Sequence, residues 1–186
     1  MLQLGVIVAS TRPGRVGLPI AEWFVERAQL HGKFEVSLLD LQAFALPLLD
    51  EPNHPRLQKY EKPHTLAWSA KVQAMDAFVL VTPEYNFASP PALLNALDYL
   101  FNEWAYKPAA FVSYGGLSGG LRSVQMTKTI LTSLKMMPIP EAVTIAFFSK
   151  LMSEGKFTGE PTHDKSCVAM LDELHKWATA LAPLRG

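Results

Sequence analysis

Two arginines, two hydroxyls and a Pro-Gly turn crowd into Ser10-Thr11-Arg12-Pro13-Gly14-Arg15-Val16-Gly17, directly after the apolar run Leu4 to Ala9 and before a periodic apolar stretch. A strand-to-helix turn of this composition suits a terminal phosphate. Guanidinium groups form charge-assisted bonds to phosphate oxygens, and backbone N–H groups at a helix start point at an anion that the helix dipole favours. The candidate phosphate ligands are Ser10, Thr11, Arg12 and Arg15, with the amides of Val16 and Gly17. No G-x-x-x-x-G-K-[ST] occurs, and no G-x-G-x-x-G follows the first strand, so a nucleoside triphosphate or a Rossmann-bound dinucleotide is disfavoured. A solvated turn kept soluble by its arginines fits the isolated motif as well, so the surroundings must decide.

Two further glycine- and proline-rich loops supply them. Thr82-Pro83-Glu84-Tyr85-Asn86-Phe87-Ala88-Ser89-Pro90 offers an aromatic wall, Tyr85, and an amide, Asn86, between stiffening prolines that reduce the ordering cost of binding. Tyr114-Gly115-Gly116-Leu117-Ser118-Gly119-Gly120 lets backbone approach a flat ring closely, because no Cβ intervenes. Phosphate at one end and a planar heterocycle at the other is the shape of a flavin mononucleotide.

The elements that must position these loops are four continuous apolar runs, Leu4 to Ala9, Ala77 to Val81, Ala109 to Ser113 and Ala142 to Phe148, which suit strands buried on both faces. A fifth, Phe34 to Asp40, begins by alternating and reads as a strand nearer the sheet edge. Helical patterns fall between them at 18–30, 57–74, 91–101, 119–134 and 162–181. Such alternation predicts a parallel sheet with helices on both faces and right-handed crossovers, whose ligand sits beyond the carboxyl ends of the strands. The stretches 41–54 and 149–161 read as longer surface connections.

Composition bounds the function classes. With 186 residues, 49% of them apolar, the chain fits one domain, 1–186. Its 17 basic and 17 acidic residues cancel, which argues against nucleic acid or an anionic membrane as partner and for a small ligand. The single cysteine, Cys167, excludes an intramolecular disulfide, and the five histidines lack metal-ligand spacing, so no metal is expected. The chain opens on Met1-Leu2-Gln3 and its first strand, and no apolar run is long enough to cross a membrane; the expectation is a cytoplasmic protein.

Pro83-Glu84-Tyr85-Asn86, the following Ser89-Pro90-Pro91-Ala92-Leu93-Leu94-Asn95-Ala96-Leu97-Asp98, the Ser10-x-Arg12 turn and the stretch from Gly115-Gly116 to Gly119-Gly120-Leu121-Arg122 together resemble the NADPH-dependent FMN reductase family, a flavodoxin-like group that includes quinone, azo-dye and chromate reductases. The resemblance implies a three-layer α/β sandwich with a five-stranded parallel sheet in the order 2-1-3-4-5. It implies that FMN is bound by its phosphate at Ser10, Arg12 and the following amides, here those of Val16 and Gly17, with Thr11 and Arg15 as further candidates, Arg15 either taking over a phosphate contact or pointing to solvent, and with Pro83, Glu84, Tyr85, Asn86, Ser113, Tyr114, Gly115 and Gly116 around the ring. NADPH or NADH would be the hydride donor, a small molecule the acceptor, and the state a homodimer or a dimer of dimers. Two departures stand out: many relatives carry a small hydroxyl or amide residue in place of Arg15, and lysine in place of Leu94.

In that chemistry the cofactor does the reacting, by a ping-pong route, and no catalytic side chain is required. Glu84 reads as a structural ligand of neighbouring amides, and Cys167 as a small buried hydrophobe. Trp104 and Tyr106 are candidates for a subunit interface. A 2′-phosphate on the donor needs a basic neighbour, and spacing does not choose between Arg122 and Lys150. The rival readings are an FMN-carrying electron shuttle or redox sensor, and a flavin-free phosphate binder; zero net charge and the paired arginines weigh against the shuttle.

Overall fold

In a computed structural model, described over residues 1–185, strands and helices alternate along the chain. Gly186, the last residue of the expected 1–186 domain, lies outside the described residues. Five strands, β1 (Leu2–Val8), β2 (Phe34–Asp40), β3 (Ala77–Pro83), β4 (Pro108–Tyr114) and β5 (Met137–Ile145), form one parallel sheet in the order β2-β1-β3-β4-β5. The order reverses at β1, whose neighbours are β2 and β3, so the loops after β1 and β3 diverge from a switch point.

The helices are α1 (Gly17–His31), α2 (Leu41–Phe44), α3 (Pro63–Gln73), α4 (Pro91–Asp98), α5 (Leu121–Ser133) and α6 (Pro161–Leu181). One core gathers α1, α6 and one face of the sheet around Leu4, Val6, Val79, Val112, Phe24 and Leu174. The other packs α3, α4 and α5 on the opposite face around Ile7, Leu80, Phe111, Trp68, Trp104 and Leu97. β1 and β3 are buried along nearly their whole length because both faces are covered.

Several elements differ from the sequence reading. β5 starts five residues before Ala142 and is an edge strand with alternating burial, not one buried on both faces. Its early residues Pro138 and Pro140 lack ladder donors, which an edge strand tolerates. The 57–74 helix begins only at Pro63, because Pro55–Leu57 closes a separate 3₁₀ turn ending in Gln58 at φ 50. The connection 149–161 is structured: a short hairpin, β6 (Met152–Ser153) and β7 (Lys156–Phe157), lays Phe157 edge-on against Trp23, with ring centroids 5.1 Å apart. Trp68 and Trp104 are fully buried core residues whose indole N–H groups donate to Ala96 O and Leu97 O, so Trp104 is not an interface residue of this surface. Among the described residues no helix is long and apolar enough to cross a membrane, and no cluster of metal-ligating side chains occurs.

Candidate functional site

The carboxyl ends of β1, β3 and β4 surround a cavity of about 230 Å³ lined by Arg12, Arg15, Val16, Pro83, Glu84, Tyr85, Tyr114, Gly115, Gly116 and Phe148. Three loops far apart in sequence thus meet as the topology requires. Ser10 and Gly17 lie just beneath: a Cβ on Gly17 would overlap Ser10 Oγ and stand 2.6 Å from Tyr114 Oη, so glycine is needed for these groups to approach. Thr11 faces the neighbouring side, in a cavity of about 260 Å³ with Leu41, Gln42, Ala45, Leu46, Ala92 and Asn95.

The first loop leaves several polar donors unpaired. Arg15 N–H donates to Arg12 O across the Pro13-Gly14 turn, with Gly14 at φ 69, and α1 starts without a side-chain cap on its first amides. Ser10 is buried beside the Tyr114 hydroxyl, and its Oγ makes no hydrogen bond of good geometry. A buried hydroxyl left unpaired beside uncapped amides is costly unless something else bonds it. Arg12 is exposed at the cavity and pairs with no carboxylate among the described residues.

Arg15 has a different setting. Its guanidinium forks onto Asp40, NH1 to Oδ1 at 2.5 Å and NH2 to Oδ2 at 2.6 Å, and NH1 also donates to Ser10 O at 2.7 Å. Asp40 in turn accepts from Gln42 N–H and caps α2. Burial resists ionisation of Asp40, but the Arg15 fork and the Gln42 amide outweigh it and hold the carboxyl below its usual range. Arg15 therefore binds the first loop to the end of β2, neither free in solvent nor unpaired toward the cavity. Sequence reasoning missed Asp40; the signal available was an acidic residue closing the second strand.

The second loop turns at Tyr85-Asn86-Phe87-Ala88. Tyr85 and Ala88 exchange both backbone hydrogen bonds, and Asn86 and Phe87 sit at φ 50 and 68, the pattern of a tight turn with two left-handed residues. Asn86 therefore stands exposed at the tip and does not line the cavity. Glu84 is tied down: Oε1 accepts from Arg122 Nε at 2.7 Å, and Oε2 from Ser118 Oγ at 3.0 Å and Arg122 N–H at 3.1 Å. Burial opposes its charge, yet these donors keep the carboxyl ionised below its usual range. It thus caps the start of α5, leaving its backbone beside the cavity. Buried hydroxyls complete the attachment, Thr127 Oγ1 donating to Ser89 Oγ at 2.9 Å and Thr82 Oγ1 lying 3.2 Å from Ser123 Oγ.

The third loop closes the far wall. Gly120 at φ 88 opens α5, and a Cβ there would meet Tyr114 N at 2.9 Å. Ser113 is buried in β4 with its Oγ unpartnered. Burial raises the Tyr114 phenol well above its ordinary pKa, so it stays neutral, and its ring packs edge-on against Phe148 at 5.4 Å. Phe148 lines the cavity but reads in sequence as the end of a strand, because the apolar run continues through the bend. Its N–H donates to Gly115 O, and that of Phe147 to Gly116 O.

The family model described as NADPH-dependent FMN reductase matches residues 2–150. An NAD(P)H-dependent FMN reductase of Schizosaccharomyces pombe is 40% identical over 137 residues, 73% of this chain and 68% of that protein. One of Saccharomyces cerevisiae is 36% identical over 146 residues, 73% of this chain and 76% of that protein. The flavoenzyme NAD(P)H:(acceptor) oxidoreductase FerB of Paracoccus denitrificans superposes with a TM-score of 0.78 at 23% identity, covering 97% of this chain and 98% of that one, and so shares the fold. With this match spanning all three loops, the chain belongs to the NADPH-dependent FMN reductase family.

Proposed function

We propose that the protein is an FMN-dependent NAD(P)H oxidoreductase that reduces a small acceptor: a quinone, a flavin, an azo compound or a metal oxyanion. The observation carrying this reading is the polarity of the cavity. Arg12 and, beneath it, the Ser10 hydroxyl and the uncapped amides of α1, with the Tyr114 hydroxyl against them, supply polar donors, while Pro83, Tyr85 and Gly115-Gly116 supply flat and open wall. The residues fit the cofactor: the cradle takes its phosphate, and the glycine loop admits its ring.

Bound FMN supplies the ability to take hydride from a nicotinamide and hand it on. The chain's own groups bind and orient. Arg12 and Ser10 would donate to the phosphate, while the Arg15–Asp40 fork holds their loop in place; Thr11 would add a hydroxyl from the side, and Val16 and Gly17 their amides. Pro83, Tyr85 and the backbones of Glu84, Ser113 and Tyr114 would frame the ring, while Asn86, at the exposed loop tip, would not. Amides at Gly115 and Gly116 would face its polar edge, where fixed donors stabilise developing negative charge. Donor and acceptor would use the same open wall in turn, giving ping-pong kinetics. The working state proposed is a homodimer, which sedimentation velocity tests.

Anaerobic mixing of FMN-loaded protein with NADPH, followed by visible absorbance against free FMN, tests the proposal. Bleaching well above the control rate, reversed by a quinone, is expected. Tight FMN binding with no bleaching by NADPH or NADH would instead make the protein an electron carrier or redox sensor.

A further inference from the structure

Two exposed phenylalanines with left-handed backbone lie close in the chain to residues lining the cavity, Phe87 two positions after Tyr85 and Phe147 just before Phe148, each carrying a cation over its ring. Phe87, at φ 68 and 68% exposed, lies under the Arg122 guanidinium, 3.8 Å from its ring centroid. Phe147, at φ 49 and 47% exposed, lies under the Lys150 ammonium at 5.2 Å. Bulky side chains are uncommon at positive φ, and such strain gathers at ligand sites.

The two cations differ where recognition of an anion is concerned. Arg122 is neutralised by Glu84, with NH2 2.5 Å from Oε1, and bonded to Ser118. Lys150 is exposed and has no carboxylate within ion-pairing distance among the described residues. Arg12 belongs to the proposed phosphate cradle of the first loop. Lys150 is also held close to the ring end, because Phe147 N–H bonds Gly116 O at 3.1 Å and Lys150 N–H bonds Phe147 O at 3.0 Å.

We infer that the rim formed by Phe147 and Lys150 is the subsite for the adenosine end of the dinucleotide donor, Phe147 stacking on the purine and Lys150 pairing with a 2′-phosphate, so that NADPH is selected over NADH. The inference rests on the oxidoreductase reading above. Its logic is charge balance: a phosphate dianion is met by an unpaired cation on a flexible stem, whereas Arg122 would first have to release Glu84.

Titration calorimetry on FMN-loaded protein, with adenosine 2′,5′-bisphosphate against adenosine 5′-monophosphate, reads this without turnover. The bisphosphate is expected to bind about tenfold tighter, as one charge-assisted contact allows. Lys150→Ala should erase that preference, Lys150→Arg keep it, and Phe147→Ala weaken both ligands alike. In steady state Lys150→Ala should raise the KM for NADPH about tenfold relative to that for NADH, with kcat retained. A wild type without preference, or a preference that survives Lys150→Ala or disappears in Arg122→Ala, overturns the assignment. A Lys150-dependent preference in a protein that passes no electrons would uphold the subsite and sink the oxidoreductase reading.

Discussion

The two ends of the sheet treat their polar groups in opposite ways. At the amino end, Asp76 accepts from Gln3 N–H at 2.8 Å and from Arg185 at 2.9 Å, while Arg185 also donates to Asp76 O. The buried Lys107 gives its ammonium protons to Val72 O and Gln73 O at the end of α3. At the carboxyl end the hydroxyls of Ser10 and Ser113 are buried without partners, Arg12 has no counter-ion among the described residues, and α1 lacks a side-chain cap. The satisfied groups around Asp76 and Lys107 hold the fold together at one end. Donors left over at the other are what a ligand would complete.

That contrast breaks most sharply at Gly17. Gly17→Val would drive a branched side chain into Ser10 and the Tyr114 hydroxyl, costing about 1–3 kcal/mol of stability and lowering FMN affinity about a hundredfold. Thermal melts with and without FMN measure both. Arg12→Ala should separate the two properties: FMN affinity falls about tenfold to a hundredfold while riboflavin affinity and the apo melting temperature hold. Equal losses for FMN and riboflavin would remove Arg12 from the phosphate end.

At the amino end the reverse is expected. Asp76→Ala should cost about 1.5–3 kcal/mol in denaturant unfolding, because it strands Arg185 and the Gln3 amide, with FMN affinity unchanged. Arg15→Ala belongs between the two, lowering stability through the lost Asp40 fork and weakening FMN less than Arg12→Ala does.

The smallest effect is a pH dependence. Burial, reinforced by the Arg185 charge, pushes the Lys107 pKa down to about 8 from the ordinary 10.5. Between those values the unfolded chain holds a proton that the folded chain has released, so the lysine's contribution to stability rises with pH and is lost as pH falls toward 8. Wild-type stability minus that of Lys107→Met should therefore climb from pH 8 to 9.5; a flat difference would show that Lys107 keeps its proton when folded.

Apolar runs and turn chemistry made most of the fold legible: Phe34 to Asp40 reads as an edge strand and is one, and the alternation of strands and helices yields the parallel sheet. The limits were local. Prolines 138 and 140 hid the start of β5, since a proline in a strand is acceptable only once the strand is known to be an edge. Phe148 belonged to an apolar run with no mark of the bend at Phe147, and the hairpin at 152–157 is too short for its periodicity to show.

By itself, the sequence determined the chemistry on offer: a phosphate-suited turn, an aromatic loop and a glycine loop, each placed after a strand that had to be parallel. Only the tertiary structure decided how those charges are spent. Asp40 reaches Arg15 across 25 residues, Glu84 reaches Arg122 across 38, and so Arg12 at the cavity and Lys150 over the Phe147 ring are left without a carboxylate partner among the described residues. Pairing is a matter of distance in space, and a linear chain carries no record of it.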